Sequence, residues 1–364
     1  MKVLVISNYS DYHSTRPEAE IFKGLSKLGF DIHIMTYGNS EMVSEFRKLG
    51  ITVIDFHPEK KFDKKEIQFI RAYLVKENIQ ILHLFNSPST VNGIIAAKKL
   101  PVKVVLYRGY AGNISPWNPL HYTKYLHPRV DKIFCNSMGV EAYLRKKLIF
   151  GKDKAITINK GHQTSWYSQY QPLGIKKELG IDENAFLLIN VANNRSMKGI
   201  PYLLKAMNML PKSANIHLLL VGNGMDSSRN MKIINSGKFK DKIHILGFRK
   251  DVLNIVAATD VFVLSSIKGE SITKSVIEAM SLGIAPIITD IPGNVELVKH
   301  NESGLVVPFK NAKAISDAIV QLYSDRKLCD QLKKGAKNHI EKYLNSERTI
   351  IETKRMYENL LNDV

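Results

Sequence analysis

Lys268-Gly269-Glu270-Ser271-Ile272-Thr273-Lys274-Ser275-Val276-Ile277-Glu278-Ala279-Met280 sets one glutamate in a glycine-led loop and a second eight residues on, inside a helical pattern. Polar loop residues followed by Ile277 and Met280 on one stripe put the helix start near Ser271. Glu270 then stands at the mouth of the helix and Glu278 two turns in. At 1.5 Å of rise per residue the carboxylates lie roughly 10–12 Å apart. That gap is too wide for a pair sharing one proton. It suits a ligand with hydroxyls at both ends and an anionic middle lying across the positive helix N-terminus. A nucleotide diphosphate sugar has that shape, although a solvated helix face gives the same spacing.

Ser281-Leu282-Gly283 closes this helix with a glycine stop signal. Ile284 to Asp290 reads as a short apolar strand. Ile291 to Leu297 reads as a turn opening a helix at 293–299, and Ser303 to Pro308 as a last strand. The alternation extends over the whole chain. Strands are expected at 2–7, 31–36, 51–56, 79–85, 102–107, 131–136 and 154–159, then at 185–191, 215–221, 242–247, 260–264, 285–289 and 304–307. Helices are expected at 16–28, 63–77, 88–99, 137–148, 199–209, 249–257, 271–282, 311–323 and 325–342, with a last one from Ser346 to Asn362. Strands alternating with helices imply parallel sheets covered on both faces. The glycine- and proline-punctuated stretch 162–176 separates seven strands from six and reads as a linker. The expected domains are therefore 1–165 and 176–343, with 344–364 as a terminal helix.

With 364 residues the chain exceeds one ordinary core, and 44 % hydrophobic with 24 % charged residues is a soluble composition. No apolar run reaches the roughly 18–20 residues that span a bilayer. The first strand starts at Lys2 without the basic lead and apolar segment of a signal peptide, so a cytoplasmic protein is expected. Cys135 and Cys329 match no metal spacing and read as free thiols. The net charge of +18 gathers at Lys60-Lys61, Lys64-Lys65, Arg145-Lys146-Lys147, Lys152, Lys154 and Lys176-Lys177. Such clusters favour anionic lipid or phosphorylated ligands, or reflect a lysine-rich composition. No nucleic-acid motif accompanies them, so no nucleic-acid partner is expected.

The run from Glu270 through Glu278, Ala279-Met280, Gly283 and Gly293 to Leu297 resembles the donor half of the retaining glycosyltransferases of family four. That resemblance implies the GT-B fold: two Rossmann-like α/β domains with parallel sheets facing a central cleft, and a C-terminal helix crossing back to the first domain. It implies that Glu270 contacts sugar hydroxyls and Glu278 the ribose. Arg195 and Lys198-Gly199 match the family's phosphate-binding loop with a shortened gap, and with Glu270 they form the implied catalytic set. Gly222-Asn223-Gly224 resembles the family's Gly-x-Gly, where backbone approaches the nucleotide. It lacks the third glycine of a dinucleotide fingerprint, which argues against a nicotinamide dehydrogenase. Phe248 and Arg249 flank the base, or are a core aromatic and a surface arginine. Ser271, Ile272, Thr273 and Lys274 complete the implied donor site.

The first half departs from the family. The loop after the first strand has no glycine, leaving Ser14, Thr15 and Arg16 as candidates for an anion or acceptor contact. Arg108-Gly109 stands where many members carry a histidine and is a further candidate for the acceptor or phosphate contact, with His121 and His127 downstream, and Gly161-His162-Gln163 lacks the family's acid. No Asp-x-Asp element is present, so neither metal nor cofactor is implied.

The resemblance implies a retaining hexosyltransferase. It would move a sugar from a UDP-sugar, favoured over a GDP-sugar, to a glycan or lipid-linked acceptor in polysaccharide, lipopolysaccharide or capsule synthesis. Peripheral attachment at the inner membrane face fits the charge. The alternatives are a sugar-nucleotide epimerase and a catalytically silent nucleotide-sugar-binding subunit.

Overall fold

A computed structural model describes residues 1–362. They form two compact units, Met1–Gly161 joined by the segment from Ser346, and His162–Asn345. Thirteen strands run through them. In unit 1 they are β1 (Lys2–Ile6), β2 (Asp31–Thr36), β3 (Thr52–Asp55), β4 (Ile81–Leu84), β5 (Lys103–Arg108), β6 (Lys132–Cys135) and β7 (Ala155–Thr157). In unit 2 they are β8 (Phe186–Val191), β9 (Ile216–Val221), β10 (Ile243–Gly247), β11 (Val261–Leu264), β12 (Ala285–Thr289) and β13 (Leu305–Val307). The sheet orders are β3-β2-β1-β4-β5-β6-β7 and β10-β9-β8-β11-β12-β13. Every pairing is parallel. Each order reverses once, between β1 and β4 and between β8 and β11, and such switch points open a crevice at the strands' C-terminal ends.

Continuous apolar strands follow from this layering, because both faces of each sheet are covered. Leu4 and Ile6 enter one core of unit 1 while Val3 and Val5 enter the other. Leu188 and Leu187 divide in the same way between the two cores of unit 2. Cys135 and Cys329 are buried free thiols.

Several segments differ from the sequence reading, and three of them have a clear physical cause. Residues 162–176 are no linker. Trp166, Tyr167 and Ile175 are buried, His162 stacks on Tyr167, and Leu173 N–H donates to Asn254 O. These apolar anchors were masked by the polar residues around them, and unit 2 therefore begins at His162 rather than 176. The helix expected at 293–299 is a run of turns. Asn294, fully buried, turns its side chain inward to Thr273 and Thr289, which holds the backbone out of a helix. The first helix starts at Tyr12, not 16, because Asp11 caps it by accepting from Ser14 N–H.

The C-terminal helix Ser346–Asn362 packs in unit 1, where Met356, Tyr357 and Leu360 complete one core. Its Tyr357 hydroxyl lies 2.6 Å from His83 Nδ1 in the middle of β4. Burial, and secondarily the Lys160 ammonium, push His83 from its ordinary value of 6.5 down to about 3. The folded protein thus holds His83 neutral, while the unfolded chain takes up a proton below about pH 6.5. Stability from this residue is complete above that pH and falls as pH drops toward 3, by at most about 1.4 kcal/mol per pH unit. Urea midpoints measured from pH 7 to pH 4 should fall less steeply in His83→Gln than in wild type; parallel slopes would refute the assignment.

Candidate active site

The crevice of unit 2 lies at the ends of β8, β9, β11 and β12. After β8 the chain makes a short turn, Ser196–Lys198, and enters the helix Ile200–Met207 through Gly199. Gly199 has φ 64°, and an added Cβ would lie 2.0 Å from Ser265 O, so no other residue fits. The close approach is fastened twice. Ser265 Oγ donates to Lys198 O at 3.0 Å, and Ile267 N–H donates to Met197 O at 2.7 Å. The β8 loop is thereby pinned to the loop after β11.

That pinning brings Lys198 Nζ to 2.5 Å from Glu270 Oε1. Both side chains are largely buried, 16 % and 10 % exposed. Ser266 Oγ donates to the same carboxylate at 2.7 Å, and Thr273 Oγ1 reaches its other oxygen at 3.4 Å. Behind them, Thr289 Oγ1 donates to Ser266 O at 2.6 Å, and Asn294 Oδ1 accepts from Thr273 at 3.3 Å. Gly293, at φ 95°, lets the turn close on this loop: a Cβ there would lie 2.8 Å from Glu270 O. Three strand ends, those of β8, β11 and β12, therefore converge on the Glu270 loop. Ser266, Thr289 and Asn294 were not singled out from sequence. Their one signal is position, directly after a strand or inside the glycine turn.

The helix itself is Lys274–Ser281, three residues later than expected, with Thr273 as N-cap. Thr273 makes no capping bond, because its hydroxyl is turned toward Glu270 and Asn294. Ser271 to Thr273 form a buried lead into the helix. Glu278, 15 % exposed, lies 3.0 Å from Lys274 Nζ, one turn before it. Gly222-Asn223-Gly224 is tied to the β8 loop: Asn223 N–H donates to Asn193 Oδ1 at 3.1 Å, and Asn194 Nδ2 donates to Gly224 O at 2.7 Å.

Phe248 is 68 % exposed and is no core aromatic. Arg249 forks onto Asp251 and Glu178, whose carboxylates hold its guanidinium, so Phe248 is the side chain this loop presents. Arg195 is set apart from the Lys198–Glu270 pair. It lines a cavity of 310 Å³ with Arg229, Tyr202, Ser196, Ser227 and Asn194, and Lys198 and Glu270 stand outside those walls.

Unit 1 corrects two further expectations. Arg108 is buried. Its Nε donates to Tyr110 O at 2.9 Å, and the guanidinium stacks 3.7 Å and 4.7 Å from the Tyr110 and Tyr125 ring centres. It folds its own loop and presents no cation to a ligand, and Gly109 packs against the Tyr107 hydroxyl. Thr15 Oγ1 donates back to Asp11 O at 2.7 Å. The Asp11 carboxylate already occupies the positive end of that helix, which disfavours an anion there. Arg16 lies within the helix, beside the Tyr12 ring. A buried ion pair was not anticipated: Lys160 Nζ lies 2.8 Å from Glu18 Oε2, and Ser7 Oγ donates to Glu18 Oε1 at 2.6 Å. Among the described residues no group of three His, Cys, Asp or Glu side chains is placed to hold a metal ion.

The family described as Glycosyltransferase Family 4 matches residues 19–166, and that described as Glycosyl transferases group 1 matches residues 174–339. An N-acetyl-alpha-D-glucosaminyl L-malate synthase of Bacillus anthracis is 22 % identical over 94 % of this chain and 93 % of its own. An N,N'-diacetylbacillosaminyl-diphospho-undecaprenol alpha-1,3-N-acetylgalactosaminyltransferase of Campylobacter jejuni is 27 % identical over 98 % and 97 %. Among solved structures, a glycosyltransferase from Rickettsia africae superposes with a TM-score of 0.83 at 20 % identity, covering 100 % of this chain and 99 % of that one. Anabaena HepE in complex with UDP gives 0.78 at 15 %, covering 99 % and 100 %. Two parallel α/β units of this topology have the GT-B fold. The chain belongs to glycosyltransferase family 4.

Proposed function

We propose that unit 2 binds a UDP-sugar and that the enzyme transfers the sugar, with retention, to a lipid-linked glycan. The observation that carries this reading is the Lys198–Glu270 pair between β8 and β11, with Glu278 just over one turn into the helix that follows. Lys198 turns to the diphosphate, Glu270 accepts from sugar hydroxyls, and Glu278 from the ribose. As the bond from the anomeric carbon to the diphosphate oxygen breaks, negative charge grows beside the Lys198 ammonium. A fixed cation there stabilises the transition state more than the ground state. The departing phosphate oxygen takes the acceptor's proton, and the acceptor oxygen bonds to the same face of the sugar. The UDP of the HepE complexes and the diphospho-undecaprenol in the names of two relatives support donor and acceptor class. Melting curves against UDP- and GDP-sugars, then the anomeric configuration of the product by NMR, test it. A UDP-sugar should raise Tm and yield the donor's configuration; an inverted product, or no shift with any nucleotide sugar, would overturn it.

The same reading puts unit 1 on anionic lipid at the cytoplasmic face of the membrane. No helix among the described residues is long and apolar enough to cross a bilayer. Exposed Phe62 lies between Lys60-Lys61 and Lys64-Lys65. It is held at φ 63°, its N–H donating to the buried Asn92 Oδ1 at 2.8 Å. Phe150, 86 % exposed, lies between Lys146 and Lys152, and Trp117 is 93 % exposed. Each lysine near an anionic surface adds about 1 kcal/mol, and the attraction shortens with salt from about 10 Å at 0.1 M to about 3 Å at 1 M. Co-sedimentation with anionic vesicles should therefore fall across that range and drop in Phe150→Ser. Equal binding to neutral vesicles would exclude this attachment.

A further inference from the structure

The cavity that holds Arg195 is not used by the donor reading, yet its walls are chemically one-sided. Of the residues lining it, two are arginines and none is an acid. Ser196, Ser227 and Tyr202 add three hydroxyls, while Pro201 and Ile267 give it an apolar side. Two eight-residue helices begin at its rim, Ile200–Met207 and Ser228–Asn235, and neither has a side-chain cap. Their positive ends add to the guanidinium charge. Asn194 fixes the far wall by donating to Ser227 Oγ at 3.0 Å. The volume of 310 Å³ is at the small end of ligand pockets and suits a monosaccharide-sized molecule.

We propose that this cavity binds a second ligand, a phosphorylated sugar-sized anion, while the donor occupies the crevice. Arg195 and Arg229 clamp the phosphate from two loops, after β8 and at the start of the helix Ser228–Asn235. The ring stacks on Tyr202 and Ile267. That this site is a second one rests on the donor reading. Occupancy would brace the Ser196–Lys198 turn from behind and so report on the position of Lys198.

Glucose 1-phosphate and pyrophosphate are the probes, titrated calorimetrically into the full chain with and without saturating UDP. Glucose 1-phosphate should bind in both conditions. Arg229→Ala should weaken it about ten- to hundredfold, the range for losing a charge-assisted contact, and Arg229→Lys should recover part. UDP affinity and Tm should be unchanged in Arg229→Ala, since Arg229 is exposed and touches neither Lys198 nor Glu270. Pyrophosphate binding that depends on Arg229, without discrimination between the probes, would keep the site and reduce its specificity to the phosphate. Displacement of both probes by UDP would overturn the proposal and return the cavity to the donor site. Wild-type affinity in Arg229→Ala, or no binding of either probe, would overturn it too. Failure of UDP alone to bind, with an Arg229-dependent sugar phosphate still bound, would remove the donor reading and leave this site standing.

Discussion

Glu270→Ala is expected to lower turnover about 10- to 150-fold, the value of one charge-assisted hydrogen bond, while donor affinity changes less. The carboxylate is held by Lys198, Ser266 and Thr273, and the Gly293 turn packs on the Glu270 backbone, so the group is already oriented for the proposed sugar contact. Removing it also leaves the Lys198 ammonium largely buried without its partner, which is unfavourable in its own right. Glu270→Gln preserves the shape and the Ser266 contact but loses the charge, and should sit between alanine and wild type. Glu278→Ala should show the opposite split, with a weaker donor Kd and a smaller fall in kcat, because the proposed donor lays its ribose, not its sugar, at Glu278. Steady-state kinetics with calorimetric donor binding separates the two. Wild-type transfer and affinity in both variants would refute the site.

The second large effect is expected at Lys198. Lys198→Ala should reduce kcat by about 10²- to 10³-fold, the range for removing one fixed group aimed at developing charge. It should exceed Arg195→Ala, which should stay within a fewfold of wild type on the same donor. The contrast follows from geometry: Lys198 is locked to the crevice by Gly199, whereas Arg195 faces a separate cavity. Lys198→Arg should not rescue fully, because the planar guanidinium does not fit a pocket shaped for a compact ammonium. Equal rates for the two alanine variants would move the phosphate contact elsewhere.

The strands were legible because a buried parallel sheet writes itself as apolar runs, and all thirteen lie within about two residues of their expected bounds. The helices Glu41–Lys48 and Ser228–Asn235 were missed because each is only eight residues long and mostly polar, so few apolar positions mark its stripe. Within the site, Glu270, Glu278, Lys198 and the two pinning glycines could be picked from local patterns. Ser266, Thr289 and Asn294 could not, since their partners lie on other strands and a hydrogen bond between distant segments leaves no mark on either. Arg108 misled for a related reason. A residue just past a strand end reads as facing solvent, and only the fold shows Tyr110 and Tyr125 closing over it. The stretch 162–176 misled by composition, its serines and glutamines hiding the Trp166–Tyr167 anchor.

The contact between Lys198 and Glu270 pairs the two charges that the proposed donor would have to meet. Free phosphate must draw the ammonium away and strand the carboxylate, and a free sugar must strand the ammonium. A buried charge left alone is penalised more heavily than a new contact rewards. A ligand that carries phosphate and hydroxyls on one frame replaces both partners at once. On the proposed donor reading, this pairing therefore disfavours free phosphate and free hexose relative to a nucleotide sugar.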